Sequence, residues 1–259
     1  MALIENKFWG VEDKVQIAIE RLREFEPPEG YYLAFSGGKD SQTIYHLAQM
    51  AGVKFDAHYN LTTVDPPELV QFIRKHYPEV AWNIPEETMW SLIVRKRLPP
   101  TRVVRYCCQV LKEGGGPGRV IITGVRWEES ARRRRRGMVE ACMRDKSRQY
   151  VNPIIDWSSD DVWAFIKQVA KVPYCELYDQ GFKRLGCIMC PMQGAKGMQR
   201  DAERWPKYCD AYMRAFQRMY DKREADGMEN EHWLGAQDVM DWWMSDKKGD
   251  DPDQTVLFE

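Results

Sequence analysis

Between residues 31 and 48 the chain passes from a short apolar and aromatic run, Tyr31-Tyr32-Leu33-Ala34-Phe35, through Ser36-Gly37-Gly38-Lys39-Asp40-Ser41, to Ile44, Leu47 and Ala48 at helical spacing. A buried strand, a glycine turn and a helix thus follow one another without a linker. At such a junction an open α/β sheet can bind an anion, because glycines let backbone N–H groups close around it and the helix N-terminus adds partial positive charge. Ser36 and Ser41 offer hydroxyls to the same ligand, and Lys39 adds charge. Neither G-x-x-x-x-G-K-S/T nor G-x-G-x-x-G is present, so this is neither of those phosphate loops.

Further apolar runs alternate with helical patterns. Val15, Ala18, Ile19, Leu22 and Phe25 predict a helix over 11–25, closed by the Pro-Pro-Glu-Gly turn at 27–30. Strands are expected at 54–60, at 120–123 and near 150–156, with a helix opening at Pro66-Pro67-Glu68. Ser158 is expected to cap a helix whose apolar face holds Val162, Phe165, Ile166 and Val169. This rhythm predicts an α/β fold, a doubly wound, mostly parallel, Rossmann-like sheet covered on both faces. Beyond about residue 172 it gives way to a cysteine-bearing loop, a helical segment near 206–225 and a Trp-rich end with Trp233, Trp242 and Trp243. The expected division is a nucleotide-binding core over 1–171 and a helical, cysteine-bearing C-terminal appendage packed on it over 172–259. The last residues, 251–259, are expected to be loose or to dock on a partner.

Composition narrows the function classes. The 259 residues are 44% hydrophobic and 30% charged, the balance of an ordered globular chain. With 38 Lys and Arg against 39 Asp and Glu, a globally basic nucleic-acid binder is excluded, while a local basic patch is not. No apolar stretch approaches ~20 residues, so no membrane span is expected. The opening MALIENKFWGVEDK lacks a signal-peptide apolar region. Seven cysteines in a chain too long to be a disulfide scaffold point to a reducing cytoplasm.

Four of those cysteines are grouped: Cys107-Cys108, and Cys187-Ile188-Met189-Cys190 between Gly186 and Pro191. Four thiolates are a usual ligand set for zinc or an iron–sulfur cluster. Adjacent side chains on a helix diverge by ~100°, which makes it awkward for both to reach one small tetrahedral ion. A cubane presents a separate iron at each corner, which favours a 4Fe-4S cluster, with zinc kept as the alternative. Cys142, Cys175 and Cys209 read as small buried hydrophobes.

At Ser36-Gly37-Gly38-Lys39-Asp40-Ser41 the chain resembles the PP-loop, adenine nucleotide alpha-hydrolase-like superfamily, whose Ser-Gly-Gly-x-Asp-Ser loop grips the pyrophosphate or sulfate-like groups of adenine nucleotides. Within it, the chain is similar to the phosphoadenosine-phosphosulfate (PAPS) and adenosine-phosphosulfate (APS) reductase family over roughly residues 30–220. Gly124-Val125-Arg126-Trp127-Glu128-Glu129-Ser130, with Arg132 and Arg133, looks like that family's Gly-x-Arg-x-x-Glu-Ser-x-x-Arg segment. Asn152-Pro153-Ile154-Ile155-Asp156-Trp157, followed by Asp161-Val162-Trp163, extends the match. The resemblance implies nucleotide binding by Ser36, Gly37, Gly38, Lys39, Asp40, Ser41, Gly124, Arg126, Glu129 and Ser130, with Lys39, Arg126 and Arg133 in catalytic contact with the anionic end or its acceptor. It also implies that Cys107, Cys108, Cys187 and Cys190 hold 4Fe-4S, since the APS-type reductases carry a similar Cys-Cys pair and Cys-x-x-Cys.

The chain departs from that family where its reductases attack sulfur, at a cysteine in a Glu-Cys-Gly-Leu-His type segment. Here no cysteine follows Cys209, and His232 is the last histidine. The expected activity is sulfonucleotide reduction or closely related sulfur chemistry on APS or PAPS, with an electron or sulfur donor protein as partner. The competing expectation is an ATP pyrophosphatase that adenylates an oxygen for sulfur incorporation into DNA or tRNA. There the loop would hold pyrophosphate with Mg2+, Asp40 serving as a metal carboxylate. A third is a non-catalytic nucleotide-binding iron–sulfur redox module. Arg132-Arg133-Arg134-Arg135-Arg136 cannot all point inward, and a nucleic-acid backbone suits the remainder. A homodimer is compatible with all three.

Overall fold

A computed structural model describes residues 3–8, 10–142, 147–230 and 233–245. His232 and the terminal 251–259 segment lie outside the described residues. In chain order the elements are β1 (Ile4–Lys7), β2 (Gly10–Asp13), α1 (Lys14–Glu24), β3 (Tyr31–Phe35), α2 (Lys39–Ala51), β4 (Phe55–Asn60), α3 (Pro67–His76), β5 (Ala81–Asn83), α4 (Met89–Lys96), α5 (Tyr106–Leu111) and β6 (Val120–Ile122). They continue with β7 (Val139–Ala141), β8 (Gln149–Val151), α6 (Ser159–Ala164), α7 (Gly194–Arg204), α8 (Pro206–Ala225) and α9 (Ala236–Met244). Short 3-10 turns lie at Trp127–Glu129, Arg133–Arg135, Glu176–Tyr178 and Pro191–Gln193. No described helix is long and apolar enough to cross a membrane.

The chain forms two interleaved compact units. One gathers residues up to Asn60, Pro67–Asn83 and Gly115–Leu185; the other gathers Leu61–Pro66, Ile84–Gly114 and Gly186 onward. The first holds the six-stranded sheet, in the order β5-β4-β3-β6-β8-β7. Every pairing in it is parallel except β7 with β8. β3 is central, and the chain leaves it for β4 on one side while β6 lies on the other. That reversal is a topological switch point, and the segments after the carboxyl ends of β3 and β6 are where such sheets bind ligands.

Most of the expected apolar positions are buried, while Phe25 and Val169, at the ends of their helical patterns, are only half-buried. Val15, Ala18, Ile19 and Leu22 line α1, and Tyr31, Tyr32, Leu33 and Phe35 are buried on β3. Phe35 packs against Tyr45 and Tyr77, ring centroids 5.6 and 4.7 Å away. α1 begins at Lys14 rather than 11 because residues 10–13 pair antiparallel with 4–7, and Asp13 caps the helix through Val15 N–H. The strand expected over 150–156 shrinks to β8. From Asn152 the chain turns, its side-chain amide donating to the Gly137 carbonyl (2.8 Å) and its backbone N–H to that of Met138 (2.7 Å). Ser158 caps α6 as expected, but from Phe165 to Ala170 the helix widens into a π-helix.

The second unit contains α4, α5, α7, α8 and α9. Tyr212, Phe216 and Trp243 form its buried aromatic centre, with Trp243 Nε1 donating to the Pro100 carbonyl at 2.6 Å.

Candidate functional site

The glycine loop of the first unit, Ser36–Ser41, is built by sterics as much as by sequence. Gly37 adopts φ +70°, and a Cβ there would lie 2.7 Å from Ile73 Cδ1 and 2.8 Å from Leu69 Cδ1. Any other residue would strain the left-handed backbone and force the Ile73 and Leu69 side chains aside. Gly38, in extended conformation, is the N-cap of α2 and supplies no capping side chain. The Ser41 hydroxyl donates to the Gly38 carbonyl (2.9 Å) and accepts from Ser36 N–H (3.1 Å), with Ser36 Oγ at 3.2 Å. In this structure the two serines therefore brace the loop against itself.

The charged residues converge on Asp40. Its carboxylate accepts from Lys39 Nζ (2.9 Å to Oδ2) and from Arg126 Nε (2.8 Å to Oδ1). Lys39 is 6% exposed and Arg126 3%, so both cations are held away from solvent. Arg126 Nη1 also donates to Glu128 Oε2 (2.8 Å) and to the Trp157 carbonyl (3.2 Å). Burial works against the Arg126 charge, and Asp40 with Glu128 more than offsets it. Gly124 permits this convergence: a Cβ there would meet the Asp40 backbone at 2.9 Å. Glu129 accepts from Arg126 N–H (3.1 Å) and pairs with Arg133, while Ser130 Oγ accepts from Arg133 N–H (3.2 Å). Arg126 is thus turned inward onto Asp40, and Arg133 onto Glu129.

Sequence reasoning missed Tyr178 at this loop. Its hydroxyl accepts the Lys39 N–H, the first amide of α2, at 2.8 Å. Its ring packs edge-on against Trp163 (4.9 Å), which also meets Tyr174 (5.1 Å), and Lys167 Nζ sits 5.1 Å from the Trp163 ring centroid. No local signal connects residues 139 positions apart.

The four grouped cysteines all belong to the second unit. Cys107 and Cys108 lie on helix α5, as the spacing argument assumed. A hydrogen bond from Cys107, together with Arg105 Nη2 at 3.4 Å, holds the Cys108 thiol below its ordinary value; the same bond, burial and the neighbouring thiols push Cys107 up. Burial and then Cys187 raise Cys190. Cys187 is the main influence holding Lys112 charged, with Asp65 and Cys108 contributing. The four sulfurs and two cations therefore share one electrostatic neighbourhood. The Cys187–Cys190 turn is fixed from beneath: Met189 takes φ +55°, and its N–H donates to the buried Asp201 carboxylate at 2.9 Å. Asp201 also accepts from Gln193 Nε2 (2.7 Å), Cys187 Sγ lies 3.5 Å from Thr62 Oγ1, and Ile188 N–H donates to the Val64 carbonyl. Sequence reasoning missed Asp201 as well. In donor chemistry the set fits a four-thiolate centre. As placed, no group of three or more His, Cys, Asp or Glu among the described residues closes on an ion.

Comparison with known proteins agrees with this fold. The model of the phosphoadenosine phosphosulfate reductase domain matches residues 30–193. An APS reductase of Oceanobacillus iheyensis is 39% identical over 165 residues, 58% of this chain and 63% of that one. An uncharacterised protein of Methanocaldococcus jannaschii is 29% identical over 233 residues, 83% of this chain and 55% of that one. The chain spans from 39% to 63% of the lengths of the curated relatives it matches first. Among solved structures, a PAPS reductase from Candida auris in complex with phosphate superposes with a TM-score of 0.51 at 20% identity, covering 66% of this chain and 87% of that one.

Proposed function

The chain belongs to the phosphoadenosine phosphosulfate reductase domain family, and on that premise we propose that it binds the anionic tail of an adenine nucleotide at Ser36–Ser41 and acts on sulfur carried by that nucleotide. One observation carries the reading: just after the central strand of the switch the chain bends at Gly37, where only glycine fits, into α2, whose N-cap Gly38 supplies no side chain. Tyr178 Oη takes the Lys39 N–H, and the first-turn amides that follow it, of Asp40 and Ser41, favour a negative ligand there.

Asp40 is the internal partner of two buried cations. An entering phosphate or sulfate competes with that carboxylate for Lys39 and Arg126, and the Arg126 fork suits two-point contact. Water is largely excluded at both cations, which strengthens their hold on charge developing at the leaving group. Gly124 and Glu129 keep Arg126 in register, and Ser130 and Arg133 complete that rim.

Cys107, Cys108, Cys187 and Cys190 would hold a 4Fe-4S cluster. When bound, such a cluster supplies an electron-storing or sulfur-bearing centre. Arg105 and Lys112 offset thiolate charge there, and Asp201 fixes the Cys187–Cys190 turn. Free thiols of this kind belong in a reducing cytoplasm, with an electron or sulfur donor protein as partner.

An anaerobic assay tests the reading: ATP, APS and PAPS are offered separately with a dithiol reductant as the two-electron donor, and sulfite and pyrophosphate are measured. Sulfite from APS or PAPS, lost in Lys39→Ala, is expected. Pyrophosphate from ATP with no sulfite from either sulfonucleotide would replace it with an adenylating activity. Neither product, despite nucleotide binding, would leave a non-catalytic module.

A further inference from the structure

Five consecutive arginines divide into two kinds. Arg133 pairs with Glu129, and Arg136 pairs with Glu140 while its guanidinium carbon lies 5.6 Å from the Tyr150 ring centroid. These i,i+4 pairs pin both ends of the 3-10 turn Arg133–Arg135. Arg132, Arg134 and Arg135 are exposed, and among the described residues none has an acidic partner. In a 3-10 turn side chains three apart eclipse, so Arg132 and Arg135 stand on one side, ~6 Å apart along the axis.

An aromatic surface adjoins this turn. Trp127 is 39% exposed, and its indole Nε1 donates to the Arg136 carbonyl at 2.8 Å, which fixes the ring beside the arginines. The backbone beneath is held by Trp127 N–H donating to the Ile155 carbonyl (2.8 Å).

The chain's net charge of -1 does not cancel this patch. At physiological ionic strength charges act over ~8 Å, so a ligand there meets the three arginines rather than the whole molecule. Guanidinium forks match phosphate oxygens in pairs, and an exposed indole stacks on a base of any sequence. We propose that Trp127, Arg132, Arg134 and Arg135 form a docking surface for a single-stranded nucleic acid, the arginines on its phosphodiester backbone and the indole on a base. The surface stands apart from the nucleotide reading, because none of these four side chains bonds to the Ser36–Ser41 loop.

The test is fluorescence anisotropy with labelled strands of roughly 16 nucleotides, DNA and RNA, single and duplex, across a salt series. Arg134→Ala/Arg135→Ala is expected to weaken single-strand binding and to reduce the slope of log K against log salt by ~1.4, from ~0.7 per phosphate contact. Arg134→Lys/Arg135→Lys should keep the slope, showing charge rather than local structure at work. Trp127→Ala should lower single-strand affinity by roughly 5- to 150-fold and leave the slope and duplex affinity unchanged. The DNA and RNA arms decide which sugar is preferred. Adenine nucleotide affinity, read by calorimetry, should be the same in the Arg134→Ala/Arg135→Ala variant as in the parent. Unchanged single-strand affinity and slope in that variant overturn the proposal. So does tighter binding to anionic phospholipid vesicles than to any oligonucleotide.

Discussion

Gly37 and Gly38 are neighbours with opposite demands. Gly37 is fixed by the fold: its left-handed backbone and the Ile73 and Leu69 side chains leave no space for a methyl group. Gly37→Ala is expected to lose about 1 kcal/mol to the backbone and about 1–3 kcal/mol to overpacking, read as a lower urea midpoint. Gly38 has an ordinary extended backbone, and a Cβ there would meet Tyr178 Oη at 3.4 Å and Ser36 Oγ at 3.5 Å, normal contacts. Gly38→Ala should therefore unfold within about 0.5 kcal/mol of the parent. Its methyl group would nevertheless stand between the loop's hydroxyls where an anion has to sit, and nucleotide affinity by calorimetry should fall more than about ten-fold. Parental affinity in Gly38→Ala would show that the anion is held elsewhere.

At the scale of elements, the start of α6 shows how a cap joins distant segments. Asp161 accepts from Ser158 N–H (2.7 Å) and from Lys14 Nζ (2.7 Å), so the entry to α6 is tied to the first residue of α1. Burial alone would raise the Asp161 carboxyl; Lys14 and the Ser158 donors outweigh it and hold it below 3.8. A carboxyl lowered in the folded state adds stability above its ordinary value and loses it as pH falls through the lowered one. Asp161→Asn should thus be less stable than the parent at neutral pH, the difference closing in urea titrations as pH falls through and below the lowered carboxyl value. A difference that persists at low pH would assign the effect to shape and not to charge. Legibility in sequence follows the same division between local and distant causes. α1, β3, α2 and α8 were readable because each carries a long enough apolar pattern to be recognised alone. β6 is as short but wholly apolar, whereas β5 (Ala81-Trp82-Asn83) and β7 (Val139-Glu140-Ala141) mix polar residues into three positions and carry no such run, and the β1–β2 ribbon exists through its pairing. The loop Ser36–Ser41 was readable because its residues are contiguous. Tyr178 and Asp201 were not, since each reaches the site only through tertiary folding.

For the molecule as a whole, the proposed ligands fall in different compact units, the nucleotide in one and the cluster in the other. A ligand that binds only the folded form stabilises it by mass action, and a cluster's binding energy is part of its unit's folding energy. Hydrogen exchange can therefore test the two assignments in one experiment. Saturating nucleotide should slow exchange at amides from Ser36 to Thr43, around the N-terminus of α2, whose N-cap Gly38 supplies no side chain. Anaerobic loss of iron, by chelation or by Cys187→Ser, should bleach a brown preparation and speed exchange over 105–112 and 186–193, the segments that carry the four thiols. A hundred-fold excess of free ligand over its dissociation constant gives about 2.7 kcal/mol, enough to slow globally limited amides by roughly two orders of magnitude. Slowing by nucleotide at the cysteine segments but not at Ser36–Thr43 would move the anion site off the glycine loop. An iron-free, colourless preparation whose exchange matches that of Cys187→Ser would remove the cluster and leave the four thiols as a structural group.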